Sequence, residues 1–362
     1  MARDDPPALY SARPTVRIGT MEYPMLADQV TAMEMRETVG GMSSLELSFT
    51  DWVTAPDGSA GFGALGSEQP FRLGEEIAVY AGPSGGPQEI FNGLITALES
   101  EVCADRGPQI TVLAEDLLFT MRRTRRSRLF EDMSPRSVVE EIAQEYSLSP
   151  QVRDGLDEPV KTWAQLAETD LAFLRRVLAV VDADMQLVGT DLQVGPLARD
   201  ERTSLELAFP DTLLQLRATA DLADQFGEAS VSGMDIEAGE IAEAAVSEGE
   251  LGPGGGALAA DVLGRKFQRY CNHLVEQGPV DAALAERQAK SAYARQTRKF
   301  LTARGTAVGD PRLRVGSWLT LLGVNPMFAN QYSVTEAVHR FDLEGGYRTD
   351  FTAECAHFGG EA

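Results

Sequence analysis

The sequence contains one passage twice, once near each end of its 362 residues. In the first copy Phe71-Arg72-Leu73-Gly74 precedes Ile77-Ala78-Val79, and in the second Leu313-Arg314-Val315-Gly316 precedes Leu319-Thr320-Leu321. The pairs Thr96/Thr335 and Glu115/Glu354 share an offset of 239 residues, whereas Gly74 and Gly316 are 242 residues apart, a difference that a loop insertion between matching strands would leave. The repeat is far longer than that of a solenoid and predicts two copies of a small β-domain in one polypeptide.

A chain with two similar domains can present six similar surfaces in a ring when three copies assemble. The duplicated glycines would mark a tight turn that enters the same strand in each copy. Thr96 and Thr335 would then occupy equivalent positions in superposable barrels, about 60° apart around the ring axis. The alternative is that two unrelated β-meanders converged on similar short motifs by chance.

Composition restricts the class of protein. The formal net charge of −23 argues against nucleic-acid recognition, because phosphate binding needs a basic face. No apolar run reaches the length of a membrane span, and the polar residues from Met1 to Pro7 lack a signal-peptide core, which predicts synthesis in a cytoplasm. Cys103, Cys271 and Cys355 are far apart, which favours reduced thiols over a disulfide framework.

The pattern along the chain predicts an α+β fold that is mainly β, in three parts. Residues 1–117 alternate apolar and polar positions between turn clusters, which is typical of a small barrel. Residues 118–200 form a helical and hairpin middle section, with helices beginning after Ser134 and near Thr169. Residues 201–362 form a second barrel, interrupted by an acidic, Gly-rich loop at about 235–256 and a helix at about 281–299.

The sequence offers no catalytic, cofactor-binding or metal-binding residues. His273, His339 and His357 lack the spacing of metal ligands, and His339 in a strand-like run is better interpreted as a packed or surface side chain. The phosphate-loop and zinc-protease motifs are absent from the sequence, and the only match to the nucleophile-elbow pattern, Gly82-Pro83-Ser84-Gly85-Gly86, lies in a turn cluster between strand-like runs. We therefore expect a protein that is not an enzyme and needs no cofactor.

An arginine cluster interrupts this acidic chain at Arg122, Arg123, Arg125, Arg126 and Arg128. Guanidinium groups form forked contacts with carboxylates, so the cluster could meet an acidic partner or a neighbouring subunit. The alternative is a solvated connector between the first barrel and the middle section. The sequence leaves both interpretations open.

Several motifs occur in the order found in the phage late control protein D family, which comprises tail hub proteins related to the N-terminal part of VgrG. The chain resembles this family in Phe91-Asn92-Gly93-Leu94-Ile95-Thr96, in the arginine cluster, and in Thr169-Asp170-Leu171-Ala172-Phe173-Leu174-Arg175-Arg176. The longest similarity runs from Pro279 through Gly309-Asp310-Pro311-Arg312-Leu313-Arg314-Val315-Gly316 to Gly346-Tyr347-Arg348-Thr349-Asp350-Phe351. The acidic loop and the first residues depart from the family.

The resemblance implies a homotrimer with two tube-like β-barrels per chain, which together form a pseudo-sixfold ring. A hexameric inner tube would stack on one side of this ring, a trimeric spike would dock on the other, and baseplate wedge proteins would surround it. Because the chain ends at Ala362, just after the second β-block, the spike is expected to be a separate polypeptide. A tail-associated peptidoglycan hydrolase and a receptor- or carbohydrate-binding tail protein are the alternatives.

Overall fold

The computed structural model describes residues 13–54, 60–62, 71–82, 86–104, 107–199, 201–267, 270–276 and 278–359. In the first block of the chain, residues 15–115, most of the described residues are in strands. Its elements are β1 (Thr15–Ile18), β2 (Met21–Glu22), α1 (Pro24–Gln29), β3 (Val30–Thr38), β4 (Ser43–Thr50), β5 (Trp52–Thr54), β6 (Ala60–Phe62), β7 (Glu76–Ala81), β8 (Gln88–Glu101) and β9 (Gln109–Glu115).

The middle section, residues 118–196, packs two capped helices against short strands. Ser134 accepts a hydrogen bond from Ser137 N–H at 3.2 Å and Thr169 accepts one from Ala172 N–H at 3.3 Å, which confirms both predicted helix starts. The elements are α2 (Leu118–Met121), β10 (Arg125–Met133), α3 (Pro135–Glu145), β11 (Ser149–Val152), β12 (Lys161–Thr169), α4 (Asp170–Val180), β13 (Ala183–Val188) and β14 (Asp191–Pro196).

The second block, residues 204–359, returns to strands around two further helices. Its elements are β15 (Ser204–Ala208), β16 (Leu213–Ala220), β17 (Glu228–Asp235), β18 (Glu240–Val246), β19 (Gly256–Leu258), α5 (Ala259–Lys266), β20 (Cys271–Val275), α6 (Ala282–Arg298), β21 (Leu301–Val308), β22 (Trp318–Leu322), β23 (Gln331–Asp342), β24 (Gly346–Cys355) and β25 (His357–Gly359). Asp281 caps α6 by accepting a hydrogen bond from Leu284 N–H at 2.7 Å.

Part of the predicted acidic loop is a strand. Residues 240–246 form β18, which pairs antiparallel with β17 over its whole length. Ala242, Ala244 and Val246, at alternate positions of this strand, pack against α6. The many charges and small side chains conceal this period of two in the sequence. The prediction of a loop is therefore wrong for residues 240–246.

A large curled sheet of 13 strands runs through both blocks, mostly in the order β16-β21-β24-β23-β3-β4-β9-β8-β7-β1-β2. Residues 336–342 of β23 pair antiparallel with residues 32–38 of β3, and this pairing, which we call the internal seam, joins the blocks. Among the described residues, no strand pairing closes either block into a barrel of its own, so the two barrels stay a prediction.

The turn between β3 and β4 fixes the middle section to the sheet. Gly40 N–H donates to Asp184 Oδ1 at 2.7 Å, Arg175 donates to Gly40 O at 2.7 Å, and Gln186 donates to Thr38 O at 3.0 Å. Gly41 has φ of +89°, and a Cβ there would lie 2.7 Å from Met185 O. The turn therefore needs glycine for its backbone angle and for the close approach of the two backbones.

We predict that Gly41→Ala lowers the free energy of unfolding by roughly 2–4 kcal/mol, because left-handed strain adds to a clash with backbone. Gly74→Ala is the matched control, since Gly74 has φ of +84° and nothing within 4 Å of its Cβ position. Its expected cost is roughly 1–2 kcal/mol from strain alone. Denaturant unfolding of both variants gives the comparison, and equal losses would contradict the close-approach argument.

Candidate functional site: the polar face and edges of the sheet

One face of the large sheet is polar across eight neighbouring strands, from β16 to β8. The opposite face carries the apolar cores, with Met35, Leu47, Val112 and Phe351 at alternate positions. The strand pairings place the following side chains together on the polar face: Arg217, Arg304, Thr352, Asp350, Glu336, Arg340, Arg36, Glu34, Ser44, Glu46, Thr111, Glu115 and Glu99.

Ion pairs cross the internal seam on this face. Arg36 lies between Glu34, at 3.1 Å, and Glu336 on β23. Arg340 contacts Glu34 at 3.2 Å and Asp350 at 3.3 Å. These side chains are between 29% and 47% exposed, so each pair adds little stability but keeps the face hydrophilic with opposite charges matched.

A buried ion pair lies beneath the seam. Glu37 of β3 is 1% exposed and accepts hydrogen bonds from Arg314 Nε and Nη2 at 2.8 and 2.6 Å and from Val315 N–H at 2.6 Å. Burial opposes ionisation of Glu37, but the Arg314 charge and these hydrogen bonds outweigh it and hold the pKa of Glu37 below its usual value. The pair connects the first block to the repeat motif of the second block.

His339 lies on the core side of β23, which confirms the interpretation of a packed histidine. Its Nδ1 is 2.7 Å from Tyr347 Oη and 3.3 Å from Thr349 Oγ1, and the residue is 0% exposed. Burial, assisted by the positive charge of Arg314, lowers the pKa of His339 to about 4. The imidazole is therefore neutral and enclosed, which suits packing and gives it no access to a substrate.

The repeat residues have matching local geometry. Gly74 and Gly316 have φ of +84° and +81°, and their N–H groups donate to Ile95 O at 2.8 Å and to Val334 O at 3.0 Å. Thr96 Oγ1 donates to Leu113 O at 3.3 Å, and Thr335 Oγ1 donates to Thr352 O at 3.2 Å. Each of these backbone acceptors lies 239 residues from its counterpart.

The strand pairings around these residues also match. Glu115 faces Leu94 and Glu354 faces Ser333, and a β-bulge follows at Ile95/Ala97 in the first block and at Val334/Glu336 in the second. Neither the bulge nor the threonine bond is a property of β-meanders in general. Superposition of the two blocks around a ring axis stays a prediction.

The arginine cluster has partners within the chain. Arg122 contacts Glu115 at 2.5 Å, Arg126 contacts Glu145 at 2.6 Å, and Arg125 donates to Ala167 O at 3.0 Å. Arg128 donates to Asp170 at 2.8 Å, and Arg123 lies over the Phe119 ring at 5.2 Å. The cluster thus has structural contacts of its own, and its predicted contact with a neighbouring subunit stays a prediction.

Asp170 is the residue that sequence reasoning missed. It is 0% exposed and accepts hydrogen bonds from Arg128 Nη2 and Gln165 Nε2 at 2.8 Å and from Tyr146 Oη at 2.5 Å. The signal in the sequence was its position directly after the Thr169 cap, where a solvated carboxylate would also be favoured. Only the fold shows that this carboxylate is the buried anion on which Arg128 and Tyr146 converge.

Within the described residues, no group of three or more histidine, cysteine, aspartate or glutamate side chains is placed to bind a metal ion. The helices described in the structure include none with the length and apolar character required to span a bilayer.

The family model for the Alg8 N-terminal domain matches residues 27–342, which include most of both strand blocks and the middle section. The chain belongs to the Alg8 N-terminal domain family. No curated protein matches the chain.

Solved structures share the fold of this Alg8-family chain. The 43 kDa tail protein of prophage MuSo2 from Shewanella oneidensis has a TM-score of 0.68 at 12% identity, over 94% of this chain and 97% of that one. The tail protein from Neisseria meningitidis MC58 has a TM-score of 0.69 at 12% identity, over 95% and 97% of the two chains. The Escherichia coli c3393 protein, a type VI secretion component with structural similarity to T4 tail proteins gp27 and gp5, has a TM-score of 0.60 at 14% identity, over 96% and 79%.

We predict that His339 makes folding stability depend on pH. Its folded pKa of about 4 lies below the ordinary 6.5, so between these values the unfolded chain binds more protons and stability falls as the pH falls. Lowering the pH from 7 to 5 should lower the free energy of unfolding by about 2 kcal/mol through His339. His339→Gln should remove this decrease.

The measurement is the free energy of unfolding of both proteins at pH 7 and pH 5, taken as a difference. Asp116 acts in the opposite direction, because burial raises its pKa to about 7, but it contributes equally to both proteins. His273→Gln is the control at an exposed strand. An identical change with pH in the His339→Gln variant and the unsubstituted protein would contradict the assignment.

Proposed function

We propose that this chain is a structural baseplate hub of a contractile phage tail or phage-tail-like injection system. As a homotrimer it would join a hexameric inner tube to a trimeric spike, without enzymatic activity. The observation that carries this proposal is the matching geometry of the two strand blocks, which share strand order, bulges and hydrogen bonds within one sheet.

The symmetry argument is physical. A sixfold tube ring presents six identical surfaces, and a spike presents three, so a protein between them must satisfy both. Three copies of a chain with two similar blocks give six similar sites to the tube. Features that occur only once in each chain are repeated three times around the ring. Among the features that occur once are the β17–β18 hairpin and α6, and these would meet the threefold partners.

The fold relatives support the same role, since two of them are tail proteins and a third is a type VI secretion component. We assign the tube-docking parts to residues 1–117 and 201–362 and the middle section to residues 118–200. The polar face of the sheet would line the channel of the ring. Baseplate wedge proteins would contact the outside, and the protein would reside in the baseplate of the particle.

We predict three copies of this chain between the tube and the spike. Electron cryomicroscopy of intact particles, reconstructed without imposed symmetry, should show a threefold ring whose six strand blocks repeat about every 60°. The first tube ring should make nearly the same contacts with both blocks. Six copies, one copy, or blocks whose Thr96 and Thr335 lie on different strands would contradict the proposal.

We predict that Arg123 and Arg125 contribute to a subunit or partner contact, because both are exposed and neither holds a buried carboxylate. The double variant Arg123→Glu/Arg125→Glu should lower particle yield at least about tenfold while the chain stays folded. Arg126 and Arg128 are unsuitable for this test, because they hold Asp170 and Glu145.

The control is Arg265→Glu/Lys266→Glu, which makes the same change in charge at exposed positions of α5. Circular dichroism checks the fold of both variants. Normal yield from the Arg123/Arg125 variant would return the cluster to the role of a connector held by contacts within its own chain.

A further inference from the structure

The two strand blocks have the same strand order. The strands that join the blocks at the internal seam are paired with each other, whereas the strands that correspond to them in the other block have open edges. The first block runs β3-β4-β9-β8-β7 and the second runs β16-β21-β24-β23-β22. The internal seam joins the fourth strand of the second block, β23, to the first strand of the first block, β3. The corresponding strands at the free ends are β8 and β16.

The distal half of β8 has an open edge. Its proximal half pairs with β7 as far as Leu94, just as β23 pairs with β22 as far as Ser333. Beyond the bulge, β23 pairs with β3. The corresponding residues 97–101 of β8 pair with β9 on one side and with no strand on the other within the described part of the chain. Leu98 on this segment is 36% exposed, and Val102, directly after the strand, is 64% exposed.

Strand β16 has the complementary open edge. It pairs with β21 on one side and ends the order of the large sheet, so its other side has no strand among the described residues. Leu214 on this strand is 44% exposed. Unpaired N–H and C=O groups along two exposed strands are a template for pairing with another chain.

The repeat fixes which residues would meet. Glu46 faces Glu34 in the first block and Arg304 faces Arg217 in the second, at corresponding positions. Glu34 therefore corresponds to Arg217. Arg340, which faces Glu34 across the internal seam, corresponds to Glu101 by the offset of 239 residues. Glu101 should therefore face Arg217. The same register places Glu99 opposite Thr219 and Ala97 opposite Asp221.

The charges on the two open edges are the reverse of those on the internal seam. The internal seam has an arginine on β23 facing a glutamate on β3, whereas the open edges have a glutamate on β8 and an arginine on β16. Arg217 and Arg304 lie directly opposite each other, and no ion pair to either is found among the described residues. Like charges in this position are unfavourable without a carboxylate nearby, and Glu99 and Glu101 of another copy would supply two.

We propose that the β8 edge of one copy pairs antiparallel with the β16 edge of the next, with Glu101 opposite Arg217, and that this pairing repeats the internal seam between chains. The inference rests on the proposed trimeric hub. Its three intermolecular seams would alternate with the three internal ones, so that one sheet continues around the ring.

Disulfide trapping tests the register directly. The variant Glu101→Cys/Arg217→Cys, in a Cys103→Ser/Cys271→Ser background, should form a covalent trimer in assembled baseplates under oxidising conditions, because facing antiparallel residues lie within disulfide range. The matched control is Glu34→Cys/Arg340→Cys at the corresponding positions of the internal seam. It should cross-link within one chain and leave the chain mass unchanged.

Charge exchange tests the same contact without cysteines. Arg217→Glu and Glu101→Arg should each lower particle yield at least about tenfold, and the double exchange should restore it to within about threefold of the unsubstituted chain. A purely structural role for either residue would not produce this rescue.

The outcomes separate the two proposals. One outcome is three copies per baseplate and a cross-linked internal control, but no covalent trimer and no charge rescue. This outcome would overturn the edge pairing and leave the hub function standing. A copy number other than three would overturn the hub function and, with it, the alternating seams. A covalent trimer together with charge rescue is the result expected.

Discussion

The buried contact between Glu37 and Arg314 is the interaction on which the rest of the molecule depends. Its members are 277 residues apart, and each would be an uncompensated charge in the core without the other. Removal of one partner from such a pair costs roughly 3–5 kcal/mol, whereas replacement of both by apolar groups can be neutral. The pair therefore specifies which strands meet more than it adds stability. It connects β3 to the loop that precedes β22, next to the pairing of β23 with β3 that joins the two blocks into one sheet.

The middle section depends on the same junction. Strand β3 ends in the turn at Gly40 and Gly41, which Asp184, Arg175 and Gln186 hold. Arg298 of α6 reaches the end of α4 through a two-pronged contact with Asp182, at 2.6 and 2.7 Å. Contacts between distant parts of the sequence thus place the hairpin and helix of the second block against the middle section. The features that occur once per chain are held firmly relative to the features that occur twice.

Local signals in the sequence predicted local structure well. Ser134 and Thr169 were visible as helix caps because a hydroxyl before an apolar stripe satisfies free N–H groups within a few residues. The repeat was visible because strand motifs and turn glycines recur in order. The internal seam was not visible, because pairing of β23 with β3 is set by contacts across about 300 residues, as between Arg36 and Glu336. Likewise, a run of five arginines does not show that a buried aspartate, Asp170, organises two of them.

Divergence of charge within the repeat resolves a problem that exact duplication would create. If both blocks had identical edges, β8 could pair with β3 as readily as β23 does, and chains could exchange strands or extend without closing. With glutamate at position 101, pairing with β3 would place it against Glu34, whereas pairing with β16 places it against Arg217. The internal pairing forms within one chain at a high effective concentration, but the proposed pairing of β8 with β16 would require a second copy. If the proposed pairing holds, an isolated chain would fold completely and remain a monomer, and the ring would close only where neighbouring proteins bring three copies together.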